Sequence, residues 1–340
     1  KRNSKCQIIP RLCSGLRFTQ KHNKNNMPRK NNIKMQSTRD GFGQAMLELG
    51  RKNKNIVVIS ANLAESTRVH HFAQKYPNRF VEVGVAEQNM LGVAAGLAIE
   101  GKIPFATSFG AFSPGRNWDQ LRVSVCYSNL NVKIIGSHTG LSVGPDGASH
   151  QALEDIAITR CLPNLVVLAP ADFRETKLAT IAAAKHVGPV YMRFARQAGP
   201  NISNGKFAIG KAQVLTPGKD VTLIGCGPIL AEALIAAREL GKKKIKLEVI
   251  NSASIKPLDK NTILRSVKKT NRVITLEDHQ IMGGLGSAVA ELLSENLPTP
   301  IKMIGVHDKF GQSGKAEQLW EKYKMTHPYI IKEVLNLLKK

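Results

Sequence analysis

From Asp40 onward, the sequence alternates stretches of helical spacing with short apolar runs. In residues 41–52 the apolar side chains recur at helical intervals, and the β-branched run from Ile56 to Ser60 follows them. A continuous run of this kind is typical of a strand that is buried on both faces of a parallel sheet. The same alternation continues to the C-terminus. The pattern therefore predicts an α/β fold with mostly parallel sheets.

The predicted strands and helices fall into two units, residues 37–197 and residues 219–340. Between them, residues 198–218 contain several Gly and Pro residues, a composition typical of a linker with at most one hairpin. We therefore expect two consecutive three-layer α/β domains joined by that linker.

The positive charge changes this picture only at the N-terminus. The chain has 49 Lys and Arg against 25 Asp and Glu, a net charge of +24. Eleven of the basic residues lie in residues 1–39, which contain no acid, so the rest of the chain carries +13. We predict that residues 1–36 are a basic disordered tail or a leader. They lack the interleaved aromatic residues and the motifs of nucleic-acid-binding modules, so we expect no nucleic-acid partner.

Two further features concern the compartment. No run reaches the roughly 18 to 20 apolar residues that a membrane helix needs, so we expect no membrane association. The five cysteines include no Cys-x-x-Cys pair, and their odd number fits a reducing compartment. We therefore expect a cytoplasmic protein.

Candidate chemistry begins where the predicted strand 80–83 ends. A turn at Gly84 follows, and Glu87 opens the next predicted helix. An acid in a first helical turn is commonly structural, because the helix dipole favours it. The next strand leads into Phe109 and Phe112, which could line a slot for a heteroaromatic ring or simply pack in the core.

A second candidate is the glycine-rich loop after the predicted strand 132–135, which carries His138, Asp146 and His150. In open α/β sheets, ligands bind where parallel strands end. Imidazoles there can transfer protons near neutral pH or hold a phosphate. The spacing of the two histidines matches no common zinc pattern, so we predict no metal site.

In this order and on this background, three motifs resemble the transketolase family. They are Gly-Val-Ala-Glu-Gln-Asn at 84–89, Phe-x-x-Phe at 109–112, and His, Asp and His at 138, 146 and 150. The resemblance runs from about Thr38 to the end and covers the family's C-terminal half. It implies a thiamine-diphosphate pyrimidine-binding domain followed by the transketolase C-terminal domain.

The resemblance implies a cofactor site for the pyrimidine end of thiamine diphosphate. Glu87 would hydrogen-bond N1′ of the aminopyrimidine and so help to activate the thiazolium carbon, as one of two catalytic residues. We expect its surroundings to oppose full ionisation of the carboxyl group. Phe109 and Phe112 would pack around the ring, and Leu63 would form an apolar wall.

The resemblance also implies a site for a sugar phosphate. His150, the second catalytic residue, would assist proton transfer at a substrate oxygen, and Asp146 would bind a donor hydroxyl. Cations and hydroxyls suit the remaining positions, which are His138, Arg193, Arg39 and Ser66.

Alternatives remain for some of these residues. Arg193 could form a salt bridge at a strand end, and Ser66 could cap a helix over residues 69–74. The family usually has Asp at the position of Asn62, which keeps a hydrogen-bonding role but loses a charge. Gly115 replaces an aromatic residue of the cofactor slot, which leaves that wall open or filled from elsewhere.

The sequence lacks the Gly-Asp-Gly…Asn segment with which this family binds the diphosphate and its divalent metal. The resemblance therefore implies a partner subunit that carries the diphosphate-binding domain and Mg²⁺ or Ca²⁺. It predicts the C-terminal subunit of a split transketolase, acting in a heterotetramer. The reaction would be the transfer of a two-carbon ketol unit between ketose and aldose phosphates of the pentose phosphate pathway.

Other functions stay open. The chain could be the β-subunit of a 2-oxoacid dehydrogenase's decarboxylating component, or the C-terminal half of a deoxyxylulose-phosphate synthase. It could also be a catalytically silent homologue, since Asn62 departs from the family pattern.

Overall fold

A computed structural model describes residues 34–339. The tail predicted for residues 1–36 therefore lies almost wholly outside the described residues. The strands are β1 (Gln36–Ser37), β2 (Ile56–Ser60), β3 (Phe80–Glu82), β4 (Ile103–Phe109), β5 (Lys133–Ser137), β6 (Val166–Leu168), β7 (Val190–Phe194), β8 (Ala198–Gly199), β9 (Gln213–Thr216), β10 (Val221–Gly225), β11 (Leu247–Asn251), β12 (Ser254–Lys256), β13 (Val273–Gln280) and β14 (Ile301–Val306).

The helices alternate with these strands. They are α1 (Thr38–Lys52), α2 (His70–Lys75), α3 (Glu87–Ile99), α4 (Trp118–Gln120, continued by a π-helical stretch, Leu121–Tyr127), α5 (Asp155–Arg160), α6 (Phe173–Lys185), α7 (Leu230–Lys242), α8 (Lys260–Thr270), α9 (Leu285–Asn296), α10 (Ala316–Lys322) and α11 (His327–Leu338).

Two sheets organise the molecule. The larger has the order β12-β6-β7-β5-β4-β2-β3, and the smaller has the order β14-β13-β10-β11-β9. Within these two sheets, all pairs are parallel except β12 with β6 and β9 with β11, which are antiparallel. Strands β1 and β8 form a separate antiparallel pair. The prediction of two α/β units with mostly parallel sheets is confirmed.

The strands and helices of the first sheet match the sequence pattern that predicted them. Every residue of β2 is buried, as expected for a strand covered on both faces. Helix α1 begins after Ser37, whose hydroxyl accepts a hydrogen bond from the Asp40 N–H, and it ends with Arg51 and Lys52 in its last turn. Helix α3 begins at Glu87, as predicted, and ends at Ile99.

Residues 198–218 form no hairpin of their own. Strand β8 pairs instead with β1, and β9 pairs with β11 of the second sheet. Strand β12 returns from the second half of the chain to the edge of the first sheet, where it pairs with β6. One apolar cluster also contains side chains from both halves, including Ile59 and Ile250. The two halves are therefore joined by shared strands and a shared core.

Among residues 34–339, the helices are too short or too polar to cross a bilayer.

Candidate active site

Glu87 is the first residue of α3, and its side chain is 3% exposed. The Ser108 hydroxyl donates a hydrogen bond to Oε1 at 3.3 Å, and the Arg116 guanidinium lies 3.2 Å from Oε2. The Asn117 amide donates to the Glu87 carbonyl at 3.1 Å. Backbone and carboxylate are thus both held, and the acid faces the end of β4 rather than solvent.

Phe109 and Phe112 stand beside this carboxylate and lie nearly parallel, with ring centroids 6.0 Å apart. The His138 ring stacks on Phe109 at 4.0 Å, and the His150 ring meets Phe112 edge-on at 5.2 Å. The chain therefore brings together the acid, the two phenylalanines and both histidines singled out in the sequence. We call the region formed by Glu87, Ser108, Phe109, Phe112 and Arg116 the aromatic slot.

Arg116 is a slot residue that the sequence reasoning missed. Its guanidinium lies 4.2 Å from the centroid of Phe112 and pairs with Glu87. This nearby cation offsets the cost of burying the carboxylate. A Cβ at Gly115 would lie 2.7 Å from the Ala111 carbonyl oxygen, so a larger residue there would require a backbone shift. The wall lost at Gly115 is filled in part by Arg116. Arg116 follows Phe112 by four residues, and in a helical turn this spacing places two side chains on the same face. The spacing could therefore have identified Arg116 from the sequence.

Three arginines, Arg39, Arg68 and Arg196, form what we call the arginine cluster. Arg39 donates to the Ser66 carbonyl at 3.3 Å, and Arg68 pairs with Asp40 at 2.7 Å. Arg196 donates to both carboxylate oxygens of Asp146 at 3.2 Å. Burial, and then the charge of Arg68, lower the pKa of Arg39. Arg68 and Arg196 are thus paired with carboxylates, and the three guanidinium groups together still offer positive charge that can attract an anion.

His138 lies where the slot and the cluster meet. It is 2% exposed, has a φ of 56°, and its Nδ1 is 2.8 Å from the Ser137 hydroxyl. Burial, and then the charges of the arginine cluster and His150, lower the pKa of His138 to about 3. Its ring is therefore neutral near neutral pH, and it can serve as a hydrogen-bonding group rather than as the cation expected from the sequence.

Arg193 does not join this group. It is 5% exposed, its Nε lies 3.0 Å from Asp155 Oδ2, and an Nη donates to the Asp278 carbonyl at 3.1 Å. The salt bridge at a strand end is thus formed, and the sugar-phosphate role expected for Arg193 stays a prediction. Arg193 lies within β7, whose residues are all buried, whereas Arg196 follows the strand and reaches Asp146.

The other predicted residues, Asn62, Leu63 and Ser66, lie in the loop between β2 and α2. Ser66 does not cap a helix, because α2 begins after Val69 without a side-chain cap. Asn62 has a left-handed φ of 59°, and its N–H donates to Glu82 Oε1 at 2.7 Å. Leu63 is half-buried, and its N–H donates to the Ser60 hydroxyl at 3.1 Å. Their contacts fix the loop after β2.

Comparisons with known proteins define the class of this site and fold. Residues 34–201 match the family model "Transketolase, pyrimidine binding domain", and residues 210–330 match "Transketolase, C-terminal domain". The molecule is thus a pyrimidine-binding α/β protein with the transketolase C-terminal fold. The chain belongs to the transketolase family.

Three relatives sharpen this assignment. A 6-deoxy-6-sulfo-D-fructose transketolase subunit of a Clostridium species (strain MSTE9) is 43% identical, over 86% of this chain and 92% of its own length. An apulose-4-phosphate transketolase subunit of Phocaeicola vulgatus is 36% identical, over 90% of this chain and 99% of its own length. A solved structure of a split-gene transketolase, an inactive β4 tetramer, is 44% identical, with a TM-score of 0.83 over 89% of this chain and 98% of that chain. The chain therefore corresponds to the C-terminal subunit of a split transketolase.

Membership of the family implies dependence on thiamine diphosphate. The residues fit the pyrimidine end of that cofactor, because a buried carboxylate stands at the end of a flat aromatic slot. Among residues 34–339, no three His, Cys, Asp or Glu side chains lie close enough to hold a metal ion.

Proposed function

We propose that this chain transfers a two-carbon ketol unit between ketose and aldose phosphates, as one subunit of a transketolase of the pentose phosphate pathway. The observation that carries the proposal is the meeting of the aromatic slot and the arginine cluster at His138. One site thus offers a flat apolar end for a heterocycle and a cationic end for a phosphate.

At the first end, thiamine diphosphate supplies, when bound, the nucleophilic carbon that accepts and passes on the two-carbon unit. Phe109 and Phe112 would hold the aminopyrimidine by stacking. Glu87 would bind the ring and exchange a proton with its nitrogen, a role that needs a carboxyl group shielded from water. Ser108 and Asn117 orient Glu87 for this task.

At the second end, Arg39 and Arg196 would hold the phosphate, with the neutral His138 as a hydrogen-bonding partner. Asp146, paired with Arg196, would bind a donor hydroxyl. His150 stands edge-on to Phe112 and would transfer a proton at the substrate oxygen. Ser66, Asn62 and Leu63 would border this pocket.

We further propose a partner subunit that carries the diphosphate-binding domain and holds Mg²⁺ or Ca²⁺, with the assembly a cytoplasmic heterotetramer. Apolar side chains exposed on and beside α3 support a subunit interface there, since Val85, Ile99 and Tyr127 are 68%, 70% and 86% exposed. Residues 37–197 would form the pyrimidine-binding domain and residues 219–340 the C-terminal domain, joined by residues 198–218.

The proposal is tested by co-expressing the chain with a subunit that carries a Gly-Asp-Gly…Asn segment. Ketol transfer from xylulose 5-phosphate to ribose 5-phosphate is then measured with thiamine diphosphate and Mg²⁺. We expect activity with the pair and none with either subunit alone.

Two sets of comparison substrates make the test selective. Preference for 6-deoxy-6-sulfofructose or apulose 4-phosphate would keep the reaction and change the substrate. Activity on pyruvate, with no ketol transfer, would replace the proposal by an oxoacid dehydrogenase or a deoxyxylulose-phosphate synthase. Inactivity of a folded pair toward all of these substrates would favour a silent homologue.

A further inference from the structure

The loop of residues 138–151 carries three residues of the proposed substrate pocket, yet it has little regular structure of its own. Its one helical element is the 3₁₀ turn Leu141–Val143. His138 and three glycines of the loop have positive φ values. A loop of this composition has many alternative conformations when it is free, so its fixed shape requires supports from outside.

The first support is a carboxylate from the C-terminal half of the chain. Asp278, near the end of β13, accepts hydrogen bonds from the Leu141 N–H at 2.8 Å and from the Ser142 N–H at 3.2 Å. The indole N–H of Trp320, in α10, donates to the same carboxylate at 3.0 Å. Hydrogen bonds to a charged acceptor are stronger than neutral ones, so this contact holds two successive amides of the loop.

The second support is the segment just before α10. The Gln151 amide donates to Leu141 and Gly144 carbonyls within the loop and to the Gln312 carbonyl at 3.0 Å. A Cβ at Gly147 would lie 2.6 Å from the Ser313 hydroxyl, which shows how closely the two backbones approach. The loop therefore rests on residues 312–314 as well as on Asp278.

We propose that Asp278 is a positioning residue that fixes the loop 138–151 and so sets the places of His138, Asp146 and His150 for the sugar phosphate. Trp320 orients its carboxylate. This inference rests on the proposed function. By this inference, the C-terminal half of the chain affects substrate binding because Asp278 holds the backbone of the loop.

The test compares Asp278→Asn and Trp320→Phe with a matched control, Asp259→Asn. Asp259 is also a carboxylate of the C-terminal half that accepts from two backbone amides, those of Ala212 and Thr262, but its contacts lie outside the loop. Hydrogen exchange of the full chain is measured on peptides that cover residues 138–151. We expect faster exchange there in both loop variants, no change in the control, and unchanged protection of β5.

In the reconstituted enzyme, Asp278→Asn is expected to raise KM for the ketose phosphate by about tenfold with kcat reduced less, as the loss of a charge-assisted hydrogen bond suggests. Unchanged loop exchange in a folded Asp278→Asn chain would overturn the proposal. Faster exchange with an unchanged KM would also overturn it, since the loop would then not set the substrate contacts. If Asp278→Asn fails to fold, Trp320→Phe, which loses only the indole donor, decides in the same way.

Exchange needs no turnover, so it separates this inference from the proposed function. Faster loop exchange in a chain that transfers no ketol unit with any partner would refute the proposed function while supporting the role of Asp278 in holding the loop.

Discussion

At the aromatic slot a single buried carboxylate, Glu87, hydrogen-bonds Ser108 and pairs with Arg116. At the arginine cluster, by contrast, the charges of three guanidinium groups act on a buried, neutral histidine. The slot offers shape, stacking and one carboxylate. The cluster offers mainly charge, and Arg196 is 40% exposed there. Binding at the slot should therefore depend on fit, while binding at the cluster should weaken as salt screens the charges. Under the proposed function, cofactor recognition and substrate recognition would therefore depend on two kinds of interaction.

The largest expected effect is at the slot. Glu87→Gln preserves shape but removes the carboxylate, so we expect kcat of the reconstituted enzyme to fall by at least about 10³-fold, the scale of general acid–base catalysis. The variant should still assemble with the partner, as measured by size-exclusion chromatography.

Glu175→Gln is the control for that prediction, because Glu175 is also a buried acid in a first helical turn but hydrogen-bonds Asn251. Its kcat should stay within about threefold of the original where both variants are folded, because its contacts are structural. Retained turnover in Glu87→Gln would remove the carboxylate from the reaction and end the contrast between the two regions.

The next effect separates the two arginines beside the site. Arg193→Met removes the cationic partner of the buried Asp155, which keeps a hydrogen bond from the Tyr191 hydroxyl, so we expect a loss of about 3–5 kcal/mol in the free energy of unfolding. Arg196→Met, the same substitution in a half-exposed residue, should change stability by less than about 1 kcal/mol. It should instead raise KM for the ketose phosphate.

Urea unfolding and steady-state kinetics check both variants. A raised KM in Arg193→Met without a loss of stability would return Arg193 to the substrate pocket and enlarge the arginine cluster.

These two arginines show where local sequence patterns carry little information. Both stand near the end of a predicted strand, and local spacing does not reveal that Arg193 meets Asp155 and the Asp278 carbonyl from the other half of the chain. The same limit hid β12, which pairs with β6 across a large sequence separation. Contacts between distant segments leave no periodic signal.

The features that could be predicted depend on residues close together in the sequence. The start of α3 was predicted correctly because a turn at Gly84 precedes a long apolar helix that opens with Glu87. The slot was found because Phe109 and Phe112 follow a strand in a parallel sheet, where side chains converge at the carboxyl ends.

The pH dependence of stability tests the effect of the arginine cluster on His138. Burial and the nearby guanidinium groups lower the pKa of His138 to about 3, below its usual value of about 6.5 in an unfolded chain. The contribution of the neutral ring is therefore full above pH 6.5 and is lost as the pH falls toward 3. His138→Asn cannot titrate, so the original chain should lose roughly 2 kcal/mol more than the variant between pH 7 and pH 5. Parallel stability curves from urea unfolding would mean that the cluster leaves His138 able to take up a proton.

The smallest expected effect concerns Arg116, the one cation of the aromatic slot. Its guanidinium already contacts Phe112 and Glu87, the groups that a planar heterocycle in the slot would also use. Since the arginine side chain is 51% exposed and such pairs contribute at most about 1 kcal/mol, Arg116→Gln should tighten thiamine diphosphate binding by about two- to fivefold. Fluorescence titration of the reconstituted pair measures this, with Arg122→Gln as the control, because Arg122 is an exposed arginine beside Trp118. Weaker binding in Arg116→Gln would instead make the guanidinium part of the cofactor site, and the slot would then share the reliance on charge that distinguishes the arginine cluster.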